Sequence, residues 1–388
     1  MKETSMHKET VLNGIDVIDR YDSLLRVKNI GLITNPTGVD KNLKSTIDIL
    51  NSKYQLKALF SPEHGIRGDV QAGAKVESYT DAQTGLPVYS LYGNTKHFTA
   101  EALLGIDLIV MDIQDIGSRF YTYLYTMAYA MEDCAKFNIP FVLLDRVNPL
   151  GGELIDGNIL NTTFKSFVGN YPIPVRYGLT LGELAILINQ EFSINCSLEI
   201  VKLEGWSRNL YFDETDLSWI NPSPNIPTID TAIIYNATCL LEGTNVSEGR
   251  GTTKPFEIIG APWIDAYQLS EVMNSNKFCG VTFRPTYFTP SFSKHQGELC
   301  SGIQIHIIDR KGVKAFEIGV ALIYTLMDLY VSKFSFLPPY YEGGHFFFDH
   351  LAGTDQIRLR ETDYKSMMGT FSKDLSLFSE LKKKYHLY

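Results

Sequence analysis

The chain has 388 residues, of which 44% are hydrophobic, and its formal net charge is −9 at pH 7. This length predicts two domains rather than one core, and the acidic balance argues against nucleic acid as a partner, because phosphate binding needs a basic face. The five cysteines are scattered without a C-x-x-C pair, so neither a disulfide framework nor a zinc knuckle is indicated.

The first residues, MKETSMHKET, are polar and charged, so the chain as given shows no signal peptide. No run approaches the ~20 apolar residues of a membrane span, and we predict none. For localisation we expect a periplasmic or otherwise extracytoplasmic protein if a leader was trimmed from the chain, and a cytoplasmic protein otherwise.

Strand and helix patterns alternate with short connections from the first residues to about residue 241. After helically spaced apolar positions over Val11 to Val27, we predict strands over Lys28 to Thr34, Leu56 to Phe60, Gly85 to Gly93, Asp107 to Ile113, Pro140 to Leu144 and Leu198 to Leu203. We predict helices over Ser45 to Leu50, Thr99 to Leu104, Tyr121 to Phe137, Thr180 to Phe192 and Thr231 to Leu241. The alternation predicts an α/β fold, with a Rossmann-like, mostly parallel sheet covered by helices on both faces.

After about residue 255 the pattern changes to strands with alternating polar and apolar residues, which is typical of a half-exposed antiparallel sheet. The predicted elements in this part are two strands and an amphipathic helix, over Val281 to Tyr287, Ile303 to Ile308 and Lys314 to Tyr330. An aromatic segment and a charged helix close the chain. We therefore predict a Rossmann-like domain over residues 1–250 and a smaller auxiliary α+β domain over residues 251–388.

Polar clusters follow four of the predicted strands at the point where each strand ends. They are Asn35 to Gly38, Glu63 to Gly65, Asp112 to Arg119, and Asp145 with Arg146. The carboxyl ends of parallel strands meet at one edge of a sheet, where open α/β sheets bind ligands. The sequence therefore predicts a site at this edge, although a loop role, in which Glu63 only caps a helix or pairs with Arg67, stays open.

A fifth polar cluster, Glu242 to Thr253, lies at the predicted domain junction and contains several glycines. Clefts between domains are favoured ligand sites. Because Glu248 and Arg250 are charged residues between glycines, we favour a binding loop over a flexible linker.

Glycoside hydrolysis fits these residue types, since it needs a carboxylic acid for the leaving oxygen and often a second carboxylate. Glu63 suits the first role, and Asp115 and Glu248 are the candidates for the second. Arg119, Arg250 or Lys254 can bind an anionic group on a sugar. The further candidate substrate-binding residues are His64, Arg67, Tyr121, Asn225 and Thr253.

Other chemistries have weaker signals in the sequence. The possible metal ligands are His64, Asp69, Asp112 and Asp115, but there is no H-E-x-x-H motif or histidine pair at ligand spacing. The glycine motifs of nucleotide binding and the G-x-S-x-G motif of serine hydrolases are missing from the sequence. We therefore predict no metal and no other cofactor.

Seven stretches of the sequence resemble the exo-acting β-N-acetylmuramidases of peptidoglycan turnover, a family long catalogued as a domain of unknown function. In order from about Ile30 to Trp263 they are GLITNPTGVD, LFSPEHGIRG, TGLPVYSLYG, VMDIQDIGSRFYTY, LLDRVNPLGG, NPSPNIP and EGTNVSEGRGTTKPFEIIGAPW. The remainder corresponds, on this resemblance, to the family's C-terminal domain.

The resemblance implies a Rossmann-like catalytic domain, a smaller domain, and a cleft between them. It implies removal of a terminal N-acetylmuramic acid from the non-reducing end of peptidoglycan-derived glycans. The family's proposed catalytic residue is the glutamate of the E-H-G motif, which corresponds to Glu63, whereas the roles of Asp115, Glu248 and Arg250 are our inference. Two alternatives stay open: a non-catalytic muropeptide- or sugar-binding protein, and a metal-dependent hydrolase.

Overall fold

The structure, a computed structural model, describes residues 9–67, 78–93 and 95–388. Outside this range lie Asp69, a possible metal ligand, Gly68 at the end of the motif LFSPEHGIRG, and the first eight residues of the chain. The described residues form a seven-stranded sheet and a separate three-stranded sheet.

The secondary-structure elements follow one another along the chain with these bounds. The strands are β1 Asn29–Thr34, β2 Gln55–Ser61, β3 Tyr79–Thr80, β4 Pro87–Ser90, β5 Leu108–Asp112, β6 Phe141–Leu144, β7 Leu198–Val201, β8 Ile258–Ala261, β9 Val281–Phe288 and β10 Cys300–Ile307. The helices are α1 Asp22–Leu25, α2 Thr46–Lys53, α3 Tyr123–Phe137, α4 Leu181–Glu191, α5 Ile229–Thr238, α6 Ala266–Ser275, α7 Ala315–Leu329, α8 Phe347–Ala352, α9 Gln356–Leu359 and α10 Tyr364–Lys383. Short 3-10 helices cover Gly14–Tyr21, Thr162–Phe164, Phe212–Glu214, Cys239–Gly243 and Arg310–Gly312.

The large sheet has the strand order β3-β4-β2-β1-β5-β6-β7. Every neighbouring pair is parallel except β3 and β4, which are antiparallel. The predicted mostly parallel α/β fold is therefore confirmed.

Both faces of the large sheet are buried, which explains the continuously apolar strands. On β5, Leu108 and Val110 belong to the core on one face, together with Ile47 and Leu50 of α2. Ile109 and its alternate neighbours belong to the core on the other face, which α3 and α4 cover. Because successive side chains of a strand point to opposite faces, a strand covered on both sides must be apolar throughout.

The small sheet is antiparallel, with the strand order β8-β10-β9; α6 packs against β9 and β10, and α7 packs against α6. Its core is continuous with one face of the large sheet. Helices α5 and α7 contact closely at Gly319, where a Cβ would lie 2.5 Å from the carbonyl oxygen of Ala237. The two sheets thus share one apolar core, while the predicted domain limits at residue 250 stay a prediction.

Several local predictions can be compared with the structure. Ser45 and Thr180, the first residues of two predicted helices, are N-caps: their side chains accept hydrogen bonds from the backbone N–H groups of Ile47 and Glu183. The predicted helix over 99–104 is wrong, because this segment forms only hydrogen-bonded turns. One helical turn is costly to nucleate, and Gly105, in the left-handed region at φ +74°, ends it. No helix in the described part of the chain has the length and apolar character that crossing a membrane requires.

Candidate active site

The loop after β2 brings a carboxylate to the edge of the large sheet. β2 ends at Ser61, and Glu63 follows after one proline. The next two residues, His64 and Gly65, both have left-handed backbones, with φ of +75° and +80°. A non-glycine residue in this region is strained by about 1–3 kcal/mol and persists only where its surroundings hold it. His64 is buried, so the packed imidazole fixes the turn that presents Glu63.

Two hydroxyl groups contact the Glu63 carboxylate. Thr122 donates from its Oγ1 to Oε2 of Glu63 over 2.9 Å, although Thr122 occupies the N-cap position of α3, where a side chain usually caps the helix. The Tyr92 hydroxyl is the second donor. Burial and the Glu63 carboxylate together raise the pKa of Tyr92, so the phenol stays protonated and able to donate.

Glu63 lies in the lining of a large cavity with a volume of about 1010 Å³. Its lining comes from the sheet edge, the start of α3 and several later loops. From the first part of the chain it includes Glu63, His64, Tyr92, Phe120, Tyr121, Thr122, Tyr123, Phe167 and Val168. From the later part it includes Ser223, Asn225, Ile226, Tyr235, Glu242, Glu248, Arg250, Phe256, Phe292, Ser293, Lys294, Tyr340 and Phe347.

Four alternating charges form one wall of this cavity. Arg250 donates from Nη2 to Oε1 of Glu242 over 2.8 Å, and its Nε lies 3.4 Å from Oε1 of Glu248. Lys294 donates to Oε2 of Glu248 over 2.8 Å and to the carbonyl oxygens of Leu241 and Val246. Glu248 is only 2% exposed. Its carboxylate therefore holds both cations in place.

The protonation state of Arg250 follows from this wall. Burial lowers its pKa, but the carboxylates of Glu242 and Glu248 outweigh burial, and the pKa lies above the usual value for arginine. The guanidinium also lies 5.0 Å from the ring centre of Phe256. Arg250 is thus a permanent cation held between carboxylates and an aromatic face.

Aromatic rings form another part of the lining, next to the charged wall. Tyr121 packs edge-on against Tyr123 and Tyr235, at ring-centre distances of 5.0 and 5.9 Å. Tyr235 packs against Phe256 in the same way. The Tyr123 hydroxyl donates to the carbonyl oxygen of Pro222, which fixes the proline-rich loop that carries Asn225. The cavity therefore offers a rigid apolar surface beside its charged wall.

The structure brings six of the predicted site residues together in this cavity and places the other four elsewhere. The six are Glu63, His64, Tyr121, Asn225, Glu248 and Arg250. Arg67 instead forms a bidentate ion pair with Asp81, with N–O distances of 3.1 and 3.0 Å. Thr253 is exposed and lines a neighbouring groove.

Asp115, a candidate second carboxylate, lies outside the cavity lining. Its Oδ2 accepts hydrogen bonds from the Gly117 backbone N–H and the Tyr177 hydroxyl. Burial raises the pKa of Asp115 to about 6, against the lowering effect of these donors. The side chain holds the loop after β5 in shape, and its predicted catalytic role stays a prediction.

Arg119, predicted to bind an anionic group, is fully buried. Its guanidinium donates to the carbonyl oxygens of Asn158, Ile173, Leu351 and Ala352. Burial lowers its pKa to about 10, which still leaves it charged at neutral pH. It therefore connects the loop after β5 to α8, away from the cavity.

Two family models match the chain. The model described as "Exo-beta-N-acetylmuramidase NamZ, N-terminal" covers residues 30–230, and the corresponding C-terminal model covers residues 233–388. The chain belongs to the NamZ family of exo-β-N-acetylmuramidases. This membership confirms the resemblance inferred from the sequence motifs.

One relative and two solved structures are similar over nearly the whole chain. The peptidoglycan β-N-acetylmuramidase NamZ of Bacillus subtilis (strain 168) is 51% identical over 393 residues, covering 100% of this chain and 94% of that protein. Crystal structures of two DUF1343 family proteins from Bacteroides fragilis NCTC 9343 have TM-scores of 0.89 and 0.75. They are 39% and 30% identical, and each alignment covers 97% of this chain and 99% of theirs.

The cavity has lining residues that the sequence interpretation did not single out as site residues. These are Tyr92, Thr122, Glu242 and Lys294, together with the aromatic residues around them. Glu242 and Thr122 lie at the edges of family motifs, and their place in those motifs is a sequence signal for a site residue. Lys294 lies 46 residues from Glu248 in a segment without a motif, and only the folded chain shows their contact.

Metal binding was an alternative for this edge of the sheet. Among the described residues, no group of three or more His, Cys, Asp or Glu side chains is arranged to hold an ion. Asp112, one of the possible ligands, forms a buried bidentate ion pair with Arg146. Asp69 lies outside the described residues.

Replacing Asp115 with asparagine tests whether this carboxylate is catalytic. We expect kcat/KM to stay close to wild type, because the asparagine carbonyl oxygen would keep an acceptor for Gly117 and Tyr177. A loss of roughly 10²-fold or more would show instead that the carboxylate takes part in the reaction.

Replacing Asp115 with asparagine should also change how the free energy of unfolding depends on pH. Since the pKa of Asp115 is raised in the folded protein, its contribution to stability is present at low pH and is lost as the pH rises through about 6. Denaturant unfolding of both proteins between about pH 4 and pH 7 should therefore show the variant gaining relative to wild type as the pH increases. A difference that does not change with pH would contradict the raised pKa.

Proposed function

We propose that this chain hydrolyses the terminal, non-reducing N-acetylmuramic acid from peptidoglycan-derived glycans, with Glu63 as the general acid/base. The observation that carries the proposal is the position of Glu63 in a large cavity, beside two hydroxyl donors and a wall of fixed charges. The family of the chain supports the same reaction.

Glu63 performs the proton transfers in this proposal. Its protonated carboxyl group donates a proton to the glycosidic oxygen as the bond between that oxygen and the anomeric carbon breaks. The carboxylate that results then takes a proton from the water that attacks the sugar. Hydrogen bonds from Thr122 and Tyr92 orient the Glu63 carboxyl group for both transfers.

Arg250 is the group that we propose to bind the lactyl carboxylate of muramic acid. Its ion pairs with Glu242 and Glu248 use Nη2 and Nε, and in the described part of the chain its Nη1 donates to no other group. A guanidinium binds carboxylates with directional, charge-assisted hydrogen bonds. Arg250 is held between two glutamates and Phe256, and this fixed position orients the N–H donors of its Nη1.

Replacing Arg250 with methionine should reduce the preference for muramic acid. We expect kcat/KM for a nitrophenyl β-glycoside of N-acetylmuramic acid to fall about 10–100-fold, the effect of one charge-assisted hydrogen bond. The corresponding N-acetylglucosamine glycoside lacks the lactyl group and should be affected much less. The measurement is the ratio of the two kcat/KM values.

Lys254 provides the control for this experiment, because it is a cation of the same loop but is exposed and paired with Glu257. We expect Lys254→Met to leave the ratio of the two kcat/KM values unchanged. Arg250→Lys should retain part of the preference for muramic acid. An equal loss on both glycosides in Arg250→Met would contradict binding of the lactyl group and indicate a general structural effect.

The proposed activity is tested directly by incubating the protein overnight with a disaccharide that has N-acetylmuramic acid at its non-reducing end. We expect free N-acetylmuramic acid, detected by mass spectrometry. Binding of the disaccharide without any product would favour a sugar-binding protein. Activity that disappears with a chelator and returns with zinc or manganese would favour a metal-dependent hydrolase.

A further inference from the structure

A second concave surface lies next to the cavity, on the outer side of the small sheet. We call it the outer groove; its volume is about 630 Å³. Its main side chains are Thr252, Thr253, Lys254, Tyr287, Phe292 and Gln304. Nothing in the proposed reaction at Glu63 uses these side chains.

The cavity and the outer groove share one wall. The Ser291 backbone N–H and hydroxyl both donate to the Gly251 carbonyl oxygen, over 2.8 and 2.9 Å. Gly251 has a left-handed backbone, with φ of +81°, and a Cβ there would lie 2.6 Å from the Phe292 carbonyl oxygen. The two segments are therefore in direct backbone contact. Phe292 lines both the cavity and the groove, so a chain that leaves the cavity over Phe292 enters the groove.

The side chains of the outer groove match sugar rings better than an acidic peptide. Tyr287 and Phe292 are 57% and 43% exposed, so both rings can be reached by a ligand in the groove. Around them lie the hydroxyls of threonines and the Gln304 amide, which are neutral donors and acceptors. The nearby cation Lys254 is paired with Glu257 over 2.9 Å. Exposed rings can cover the apolar face of a pyranose while neutral polar groups bond its hydroxyls.

We propose that the outer groove binds the sugars of the leaving glycan beyond the first one, with Tyr287 stacking on a sugar ring. This inference rests on the proposed function, in which the terminal N-acetylmuramic acid occupies the cavity. It assigns the groove a role in selecting longer glycans as substrates.

The test compares two substrates in the wild type and in Tyr287→Ala. One is the nitrophenyl β-glycoside of N-acetylmuramic acid, whose leaving group ends before the groove. The other is a tetrasaccharide of alternating N-acetylmuramic acid and N-acetylglucosamine with the muramic acid at its non-reducing end. We expect the ratio of kcat/KM for the tetrasaccharide to that for the nitrophenyl glycoside to fall about tenfold in Tyr287→Ala.

Tyr267→Ala is the matched control, because Tyr267 is a tyrosine of α6 that is 69% exposed and lies outside the linings of the cavity and the groove. We expect this variant to keep the wild-type ratio. An unchanged ratio in Tyr287→Ala, with both substrates cleaved by the wild type, would overturn the groove inference alone. A wild type that cleaves neither substrate would instead overturn the proposed function.

A third substrate separates sugars from peptide as the occupant. It is the same nitrophenyl glycoside with a stem peptide attached to the lactyl group. If the Tyr287→Ala change lowered kcat/KM only for this peptide-bearing substrate, the groove would bind the peptide and our inference would be overturned. We expect the peptide-bearing and peptide-free glycosides to respond equally to the change.

Discussion

Replacing Glu63 with glutamine should lower kcat by roughly 10²–10⁴-fold, the usual contribution of a general acid/base. Glutamine keeps the size of the side chain and can still accept from Thr122 and Tyr92, but it cannot donate a proton to the leaving oxygen. The measurement is steady-state hydrolysis of muramic acid glycosides, with circular dichroism and thermal unfolding to verify the fold.

The choice of leaving group makes this test sharper. A nitrophenolate leaves without much help from an acid, whereas a sugar alkoxide needs the proton, so the loss in Glu63→Gln should be larger for the disaccharide. Glu101→Gln is the control, since Glu101 is an exposed glutamate outside the cavity lining. Activity near wild type in Glu63→Gln, or an equal loss for both leaving groups, would remove Glu63 from the role of general acid.

Replacing Arg119 with methionine should lower the free energy of unfolding by about 3–5 kcal/mol. The guanidinium is fully buried and satisfies four carbonyl oxygens from three separate segments, which methionine cannot do. Denaturant unfolding monitored by fluorescence measures the change, while KM measured at a temperature where the variant is folded should remain near wild type.

Arg26→Met is the matched control for Arg119→Met. The Arg26 side chain is 73% exposed and pairs with Asp22 on the surface of α1, and exposed pairs of this kind contribute little to stability because water screens them. We therefore expect the unfolding curve of Arg26→Met to stay near wild type. A raised KM in Arg119→Met without loss of stability would show that Arg119 binds substrate, as its position in the motif first indicated.

The fold was predictable in large part because strands buried on both faces leave a strong local signal. The predicted strand over Asp107 to Ile113 corresponds to β5, Leu108–Asp112, and the predicted helix over Tyr121 to Phe137 corresponds to α3, Tyr123–Phe137. Among the elements that the sequence interpretation missed are β8 and α6; β8 is short and lies inside a glycine-containing motif. The predicted helix over 99–104 failed because one turn of favourable residues does not outweigh the cost of nucleation.

The candidate site was predictable where local sequence fixes the geometry. The strand that ends in Pro62 and Glu63 predicted a carboxylate at the sheet edge, and the structure places Glu63 in the same cavity as Glu248 and Arg250. The positions of Asp115 and Arg119 were not predictable. A sequence motif does not distinguish a polar side chain that is buried for structural reasons from one that binds a ligand. Lys294 gives no local signal because its three partners are distant in sequence.

The apolar core that the two sheets share has a consequence for when this protein can act. The cavity lining runs from Glu63 to Phe347, and the core beneath it joins the large sheet to α7 and α8. A chain interrupted during synthesis before the small sheet would carry Glu63 without a walled cavity around it. Muramic acid hydrolysis should therefore begin only in molecules whose synthesis is complete, and incomplete chains should be inert toward the cell wall.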